Sequence, residues 1–240
     1  MMNRLFTKPD WNVSNNVKII VTTKKFYNMK NFNLSYYNSS YEKTKNNREY
    51  IQNSFLPSKP NFVRQAHGKK IITLEGNKFS SYTADGLITK EKNKVIAVLT
   101  ADCIPIVISS VCGNMVCILH VGRKGAEFNI INNAFNVLNK YKYEFEAWIG
   151  PAISKKYYSV DSHVKNLFLN IDSKYSAFFN SNKKDLFNMD LVGIASLQLM
   201  ENNIKHISYS NLCTVKNNID FYSHRYSSDV ERFGTFVWFE

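Results

Sequence analysis

A single mixed α/β domain over residues 1–240 is the architecture the sequence predicts. Three observations predict it. Short apolar β runs recur at 17–23, 94–100, 104–109, 114–122, 145–154 and near the end of the chain. Helical patterns fall between these runs rather than after them, the order of an α/β protein. No internal repeat, low-complexity linker or shift in composition marks a second domain, and 240 residues suffice for a sizeable core.

The elements follow in order. "VKIIVTT" (17–23) reads as a strand. The polar stretch that follows it is irregular, a loop ordered by its aromatics, before "NNREYIQNSF" (46–55) turns helical. "NFVRQAHGKKIITLE" (61–75) predicts two strands about a turn at His67-Gly68, and "ADGLITK" (84–90) a short third. "VIAVLTADCIPIVISS" (95–110) is apolar apart from Asp102 and Cys103, with Pro105 just after. A carboxylate inside a core is costly unless paired, and a proline removes a ladder donor. The run therefore predicts two strands with a polar break between them. "NMVCILHVG" (114–122) is strongly β. "GAEFNIINNAFNVLNKY" (125–141) predicts one amphipathic helix with Phe128, Ile131, Phe135 and Leu138 on one face. "FEAWIGPAIS" (145–154) is a strand ending in a Gly-Pro turn, and Asp161 caps a helix. "NMDLVGIASLQLMENN" (188–203) is another helix, and "KHISYS" and "GTFVWFE" are closing strands.

Composition narrows the function. The net charge is +12, but only six of the 31 basic residues are Arg, and the lysines are spread along the chain. A nucleic-acid reader would use the bidentate Arg fork more heavily. An AT-rich coding bias would also produce this excess of Lys and Asn. Neither a nucleic-acid nor a membrane partner is expected, only a mild attraction for anions. No apolar run approaches the roughly 20 residues of a membrane span. The N-terminus lacks the apolar core of a signal peptide, so a cytoplasmic protein is expected, and a monomer. The four cysteines form no CxxC pair, which points to reduced thiols rather than a disulfide framework.

Three short stretches each place a metal-capable side chain beside a turn at the end of a β run: "QAHGKK" with His67, "TADC" with Cys103 and "LHVGRKG" with His120. If those strand ends share one edge, two imidazoles and a thiolate converge. That is a catalytic-type zinc set, with three protein ligands and a fourth position open to water. Copper is compatible with the same donors. Singly, each is better read as a structural residue, as Cys112, Cys117, His163, His206 and His224 are. Asp102 precedes Cys103 and faces the other way in an extended chain, so it is expected to fix the loop rather than act as a base. "HVGRKGAEFNII" runs from strand through glycines into a helix start, with Arg123 and Lys124 in the turn, a candidate phosphate cradle.

"QAHG", "TADCIPIVI", "LHVGRKG", "WIGPAIS" and "LCT…FYSHR" occur in the order and spacing of the YfiH-like family, also called laccase-domain or polyphenol oxidase proteins and multifunctional purine nucleoside phosphorylases. The chain resembles that family from about residue 17 to the end. The resemblance implies a mixed α/β sandwich similar to cysteine hydrolases of the cytotoxic necrotizing factor type. It implies His67, Cys103 and His120 as metal ligands and catalytic residues, with Arg48 as a substrate or anion contact; Gln65 and the turn residues Arg123 and Lys124 are the other candidate substrate or phosphate contacts. It also implies phosphorolysis of adenosine, inosine and methylthioadenosine, and deamination of adenosine, so purine nucleosides and phosphate are the expected partners.

The chain departs from the family at one place. The family usually has His-Ala-Gly-Trp-Arg-Gly where this chain has "HVGRKG", so Arg123 stands at the Trp position and Lys124 at the Arg position. Lys keeps the charge but loses the fork. Three other functions compete with a zinc phosphorylase. One is a metal-free cysteine hydrolase or amidase with Cys103 as nucleophile and His120 as base. Another is a copper-dependent polyphenol oxidase, for which one thiolate and two imidazoles are few. The third is a binding protein whose catalysis has weakened at 123–124.

Overall fold

The apolar runs separate into two stacked sheets, and the polar break at 101–103 is where the chain passes from one to the other. The computed structural model describes residues 6–7, 9–27, 29–37, 39–76 and 82–240. The strands are β1 (Phe6–Thr7), β2 (Val17–Val21), β3 (Lys25–Phe26), β4 (Met29–Lys30), β5 (Asn61–Phe62), β6 (Ile71–Leu74), β7 (Gly86–Thr89) and β8 (Ile96–Thr100). They continue with β9 (Ile104–Ser110), β10 (Val116–Val121), β11 (Phe145–Ile149), β12 (Ser159–Asp161), β13 (Phe179–Lys183), β14 (Leu186–Met189), β15 (Ile207–Tyr209) and β16 (Phe233–Phe239). The helices are α1 (Tyr41–Phe55), α2 (Arg123–Glu127), α3 (Ile130–Leu138), α4 (Ser162–Ile171), α5 (Leu191–Glu201) and α6 (His224–Ser227).

One sheet has the order β1-β2-β16-β8-β5 and the other β15-β11-β9-β10-β7-β6. Most neighbours are antiparallel, with parallel pairs at β5–β8, β6–β7 and β11–β15. Alternation along β10 sorts its side chains. Val116 and Ile118 join Ile19, Val98, Val107, Trp148, Phe233 and Val237 between the sheets. Cys117, Leu119 and Val121 turn the other way, toward α3 and α5, where Ile131, Phe135, Ile194 and Leu199 meet them. The outer face of the first sheet is covered by α1 and the β3–β4 hairpin through Ile20, Phe26, Phe32, Ile51, Phe236 and Trp238. Both faces of both sheets are therefore covered. That is why β9 and β10, though antiparallel, are buried along their whole length and read as continuous apolar runs. Among the described residues no helix is long and apolar enough to cross a membrane.

Several elements differ from the sequence expectation for identifiable reasons. Helix α1 begins five residues before the predicted start, because the Ser40 side chain caps it at the Lys43 amide. The segment 61–75 is not a hairpin. Strand β5 lies beside β8 in one sheet and β6 beside β7 in the other, so the His67 loop is a crossover. The single helix expected over 125–141 is two helices, broken where Asn129 takes a left-handed φ of 50° and caps α3 through its side chain. Phe128 consequently leaves the apolar face and is 47% exposed. Cys112 lies exposed in the β9–β10 turn rather than in the core, whereas Cys117 is buried as expected.

At the far end of β11, Glu146 binds the N-terminal segment. It accepts hydrogen bonds from the Asn12 backbone N–H (2.7 Å) and Asn12 Nδ2 (2.8 Å), and its Oε2 lies 3.0 Å from His206 Nδ1. His206 is thus a structural partner, as the sequence suggests.

Candidate metal centre

Two crossings between the sheets and the end of β10 meet at one rim. The chain leaves β8 at Thr100 and enters β9 at Ile104, and Cys103 stands on that short link. His120 is the penultimate residue of β10 and shares the inter-sheet face with Val116 and Ile118, four and two residues earlier. His67 lies in the β5–β6 crossover, with a left-handed φ of 57°.

The three meet. Their ligand-capable atoms all lie within 4.8 Å of one another. The two imidazole rings have centroids 4.7 Å apart at 78°. That span is roughly the sum of two metal–ligand bonds of about 2.0–2.3 Å each. His67 is exposed, Cys103 half-buried and His120 buried, so the cluster reaches from solvent into the inter-sheet core. Two imidazoles and a thiolate are the borderline-soft donor set that suits zinc or copper. The donor set and its spacing fit one ion, which His67, Cys103 and His120 would hold.

Asp85, just before β7, organises the cluster, and the sequence reading placed it only in a short strand. Its carboxylate accepts backbone N–H bonds from Ala66 (3.2 Å), His67 (2.9 Å) and Gly68 (2.7 Å). The same group lies 2.8 Å from His120 Nδ1. Its carbonyl accepts the His120 N–H at 2.7 Å, and its own N–H donates to the Lys70 carbonyl at 2.9 Å. Burial alone would raise its pKa; the bonds from His120, Gly68 and Ala66 override burial and hold it below the ordinary carboxylate value.

Without metal, Cys103 and His120 polarise each other. Burial would push the Cys103 thiol up, but the neighbouring His120 and His67 draw it below its ordinary value. Burial would push His120 down, but Cys103 and Asp85 raise it. The pair moves toward thiolate and imidazolium.

Gly122 packs under the cluster. A β-carbon there would stand 3.0 Å from Cys103 Sγ and 3.0 Å from His67 Cδ2. Asp102 fixes the opposite side, with a left-handed φ of 86°. Its carboxylate accepts from Thr214 Oγ1 and from the Arg225 backbone N–H, both at 2.6 Å, and its carbonyl accepts from the Ile153 N–H at 3.0 Å. Asp102 thus ties the C-terminal loop to the Cys103 link, the loop-fixing role its position in the sequence suggested.

The remaining sequence candidates divide. Arg123 follows Gly122, pairs with Glu127 at 2.7 Å and lines a cavity of about 310 Å³ with Tyr158, Asp161, Leu186 and Arg225. Burial pushes the Tyr158 phenol up to about 12, and the negative charge at Cys103 adds to the rise. The Arg225 guanidinium lies 4.9 Å from the centre of that ring. Lys124 points to solvent. Helix α2, which follows the turn, has only five residues, so the helix start expected to cradle a phosphate offers little dipole. The Gln65 amide is used inside the fold: Nε2 donates to the Leu99 carbonyl (2.7 Å) and Oε1 accepts from the Leu99 N–H (2.8 Å). Arg48 is sandwiched between the rings of Tyr36 (4.3 Å) and Phe62 (4.2 Å), with Nε donating to the Leu34 carbonyl at 2.8 Å.

Residues 20–240 match the family described as multi-copper polyphenol oxidoreductase laccase. A protein of Escherichia coli strain K12 named purine nucleoside phosphorylase YfiH is 30% identical over 183 residues, 76% of this chain and 75% of the relative. A purine nucleoside phosphorylase of Haemophilus influenzae is 28% identical over 240 residues, 97% of this chain and 98% of the relative. The fold is that of a solved Neisseria meningitidis protein, with a TM-score of 0.86 at 24% identity over 98% of this chain and 99% of the other. A YfiH protein of Bacillus licheniformis gives 0.86 at 23% identity over 94% of each chain.

Proposed function

The chain belongs to this laccase-domain family, together with the YfiH proteins, and from that membership we propose that it is a zinc-dependent purine nucleoside phosphorylase of the cytoplasm. Its proposed substrates are adenosine, inosine and methylthioadenosine with phosphate, and adenosine deamination is its second activity. The observation that carries the reading is the convergence of His67, Cys103 and His120 within 4.8 Å. The names of the relatives supply the substrate class.

The protein's own groups divide the work. His67, Cys103 and His120 would hold the metal, which would supply Lewis acidity at the cluster. In phosphorolysis a phosphate oxygen forms a bond to C1′ of the ribose as the bond from C1′ to the purine breaks. The purine leaves with a proton, and ribose 1-phosphate remains. Arg123 and Lys124 supply positive charge for the phosphate, and Arg48 is a further contact to substrate, while Gln65, bound at both ends of its amide to the Leu99 backbone, shapes the loop before His67. The cavity beside Arg123 has a volume of about 310 Å³, and small-molecule sites span roughly 300–1,000 Å³. The Tyr158 phenol, with its pKa raised to about 12, keeps its proton at neutral pH and offers that cavity an O–H donor.

The test is to incubate the purified protein with adenosine and phosphate and separate the products. Adenine with ribose 1-phosphate reports phosphorolysis, and inosine reports deamination. Neither product, with nucleosides inert, overturns the proposal.

One observation favours a second reading. Cys103, His120 and Asp85 form a nucleophile, base and orienting acid in sequence, with the thiol drawn toward thiolate. A metal-free cysteine hydrolase uses that arrangement. Metal content separates the two, because a ligating thiolate is not a free nucleophile.

A further inference from the structure

The Asp85 carboxylate is crowded with donors whose direction cannot be reversed. Oδ1 receives the His67 N–H at 2.9 Å and Oδ2 the Gly68 N–H at 2.7 Å, while the Ala66 N–H lies 3.2 Å from both. Three backbone N–H donors on one carboxyl group favour its ionised form, and an ionised Asp85 only accepts. The fourth neighbour is His120 Nδ1, 2.8 Å from Oδ1. With the carboxylate confined to accepting, Nδ1 must carry the proton. The lone pair of a neutral His120 is then on Nε2, the nitrogen left for Cys103 and His67.

The same carboxylate holds the second imidazole. The backbone of His67 is left-handed at φ 57°, a conformation unfavourable for a residue with a side chain. The three amides bound to Asp85 are those of Ala66, His67 and Gly68, the residues that make this bend. Asp85 is fixed in its turn. It is 1% exposed, and its backbone is tied to His120 on one side and Lys70 on the other.

We propose that Asp85 is the positioning residue of the metal centre: its one carboxylate selects the Nε2 lone pair of His120 and holds the His67 loop so that both imidazoles face Cys103. The proposal rests on the metal reading of the cluster.

Replacing the acid by its amide, Asp85→Asn, cannot satisfy this environment. If the new amide nitrogen takes the Oδ2 place, it meets the Gly68 N–H, donor against donor. If it takes the Oδ1 place, it meets the His67 N–H and also donates to His120 Nδ1, which moves the imidazole proton to Nε2. The first arrangement loosens the His67 loop and the second removes the His120 ligand.

The experiment measures zinc affinity by chelator competition for the wild type, Asp85→Asn and Glu146→Gln. Glu146 is a comparably buried carboxylate with a histidine partner, but it lies on β11 opposite Ser109, six residues and about 20 Å along the strand from Cys103. Asp85→Asn is expected to lose about 10–100-fold in affinity, the usual effect of removing a group that orients a ligand, while Glu146→Gln keeps the wild-type value. In parallel, nitrogen NMR of histidine-labelled, zinc-loaded wild type is expected to show His120 protonated at Nδ1 and bound through Nε2. The spectrum decides alone if Asp85→Asn does not fold. Wild-type affinity in folded Asp85→Asn, or His120 bound through Nδ1, overturns the proposal while the metal reading stands. A wild type that takes up no zinc overturns the metal reading and this proposal with it.

Discussion

Gly122 lies directly against Cys103: a β-carbon at Gly122 would stand 3.0 Å from the sulfur, and as close to the His67 ring. The Gly122 backbone, at φ −87° and ψ 179°, is one that any residue adopts. The glycine is there for space rather than for conformation. Gly122→Ala is therefore expected to leave the chain path intact and displace the sulfur or the imidazole. The expected outcome is a zinc affinity at least about tenfold lower, with a stability cost of about 1–3 kcal/mol for overpacking, measured by denaturant titration. Unchanged affinity would show that the cluster has room to spare.

Glu146 joins the N-terminal segment to the second sheet, and its contribution depends on pH. Burial would raise its pKa, but the bonds from Asn12, with His206 adding to them, hold it below the ordinary value of 4.5. A group lowered in this way stabilises the fold fully above 4.5, and the contribution is lost as pH falls through the lower folded value. Glu146→Gln should cost about 1–3 kcal/mol at neutral pH. The gap between variant and wild type should narrow as the pH drops below 4.5 in paired denaturation curves. A gap constant with pH would contradict the assignment.

Asn129 separates α2 from α3 at a left-handed φ of 50° and accepts the Asn132 N–H at 3.0 Å. Asn129→Ala loses the cap and strains the backbone, at an expected cost of about 1–2 kcal/mol. Asn129→Gly keeps the conformation and should cost only a few tenths. Calorimetric melts of the two variants give the comparison, and equal losses would contradict it.

Arg123 is the cationic side chain in the cavity nearest in sequence to the cluster, placed there by Gly122. If it holds phosphate, Arg123→Ala removes a charge-assisted bond worth about 1.5–3 kcal/mol. The KM for phosphate should rise roughly tenfold or more, with a smaller change in the KM for nucleoside. A rise confined to the nucleoside would place the phosphate elsewhere.

The cluster was legible in the sequence because each ligand stands where an apolar β run stops. Singly such a residue is better read as structural; it was the recurrence of a His or Cys at three such boundaries that marked the cluster. The break at Asp102 and Cys103 was legible because it interrupts an apolar run, and it marks a passage between sheets. Asp85 was not legible, because its role lies in the backbone amides of a loop 17–19 residues away, and no side-chain pattern announces that. The split of α2 from α3 was hidden because the apolar spacing continues across it. Only the left-handed Asn129, a residue that tolerates that conformation, marks the break. The crossover at His67 resembled a turn because His-Gly reads the same in a hairpin and in a link between sheets. Gln65 was read as a contact for substrate, yet both ends of its amide bind the Leu99 backbone.

The most direct test of the metal centre is the metal content of the protein purified without added metal, for wild type and Cys103→Ala, with nucleoside turnover measured on the same samples. The expected result is about one zinc per chain in the wild type, since three protein ligands hold one ion, with both the metal and the release of purine lost in a folded Cys103→Ala. A wild type that carries no metal, or a Cys103→Ala protein that keeps both its metal and its turnover, would contradict it.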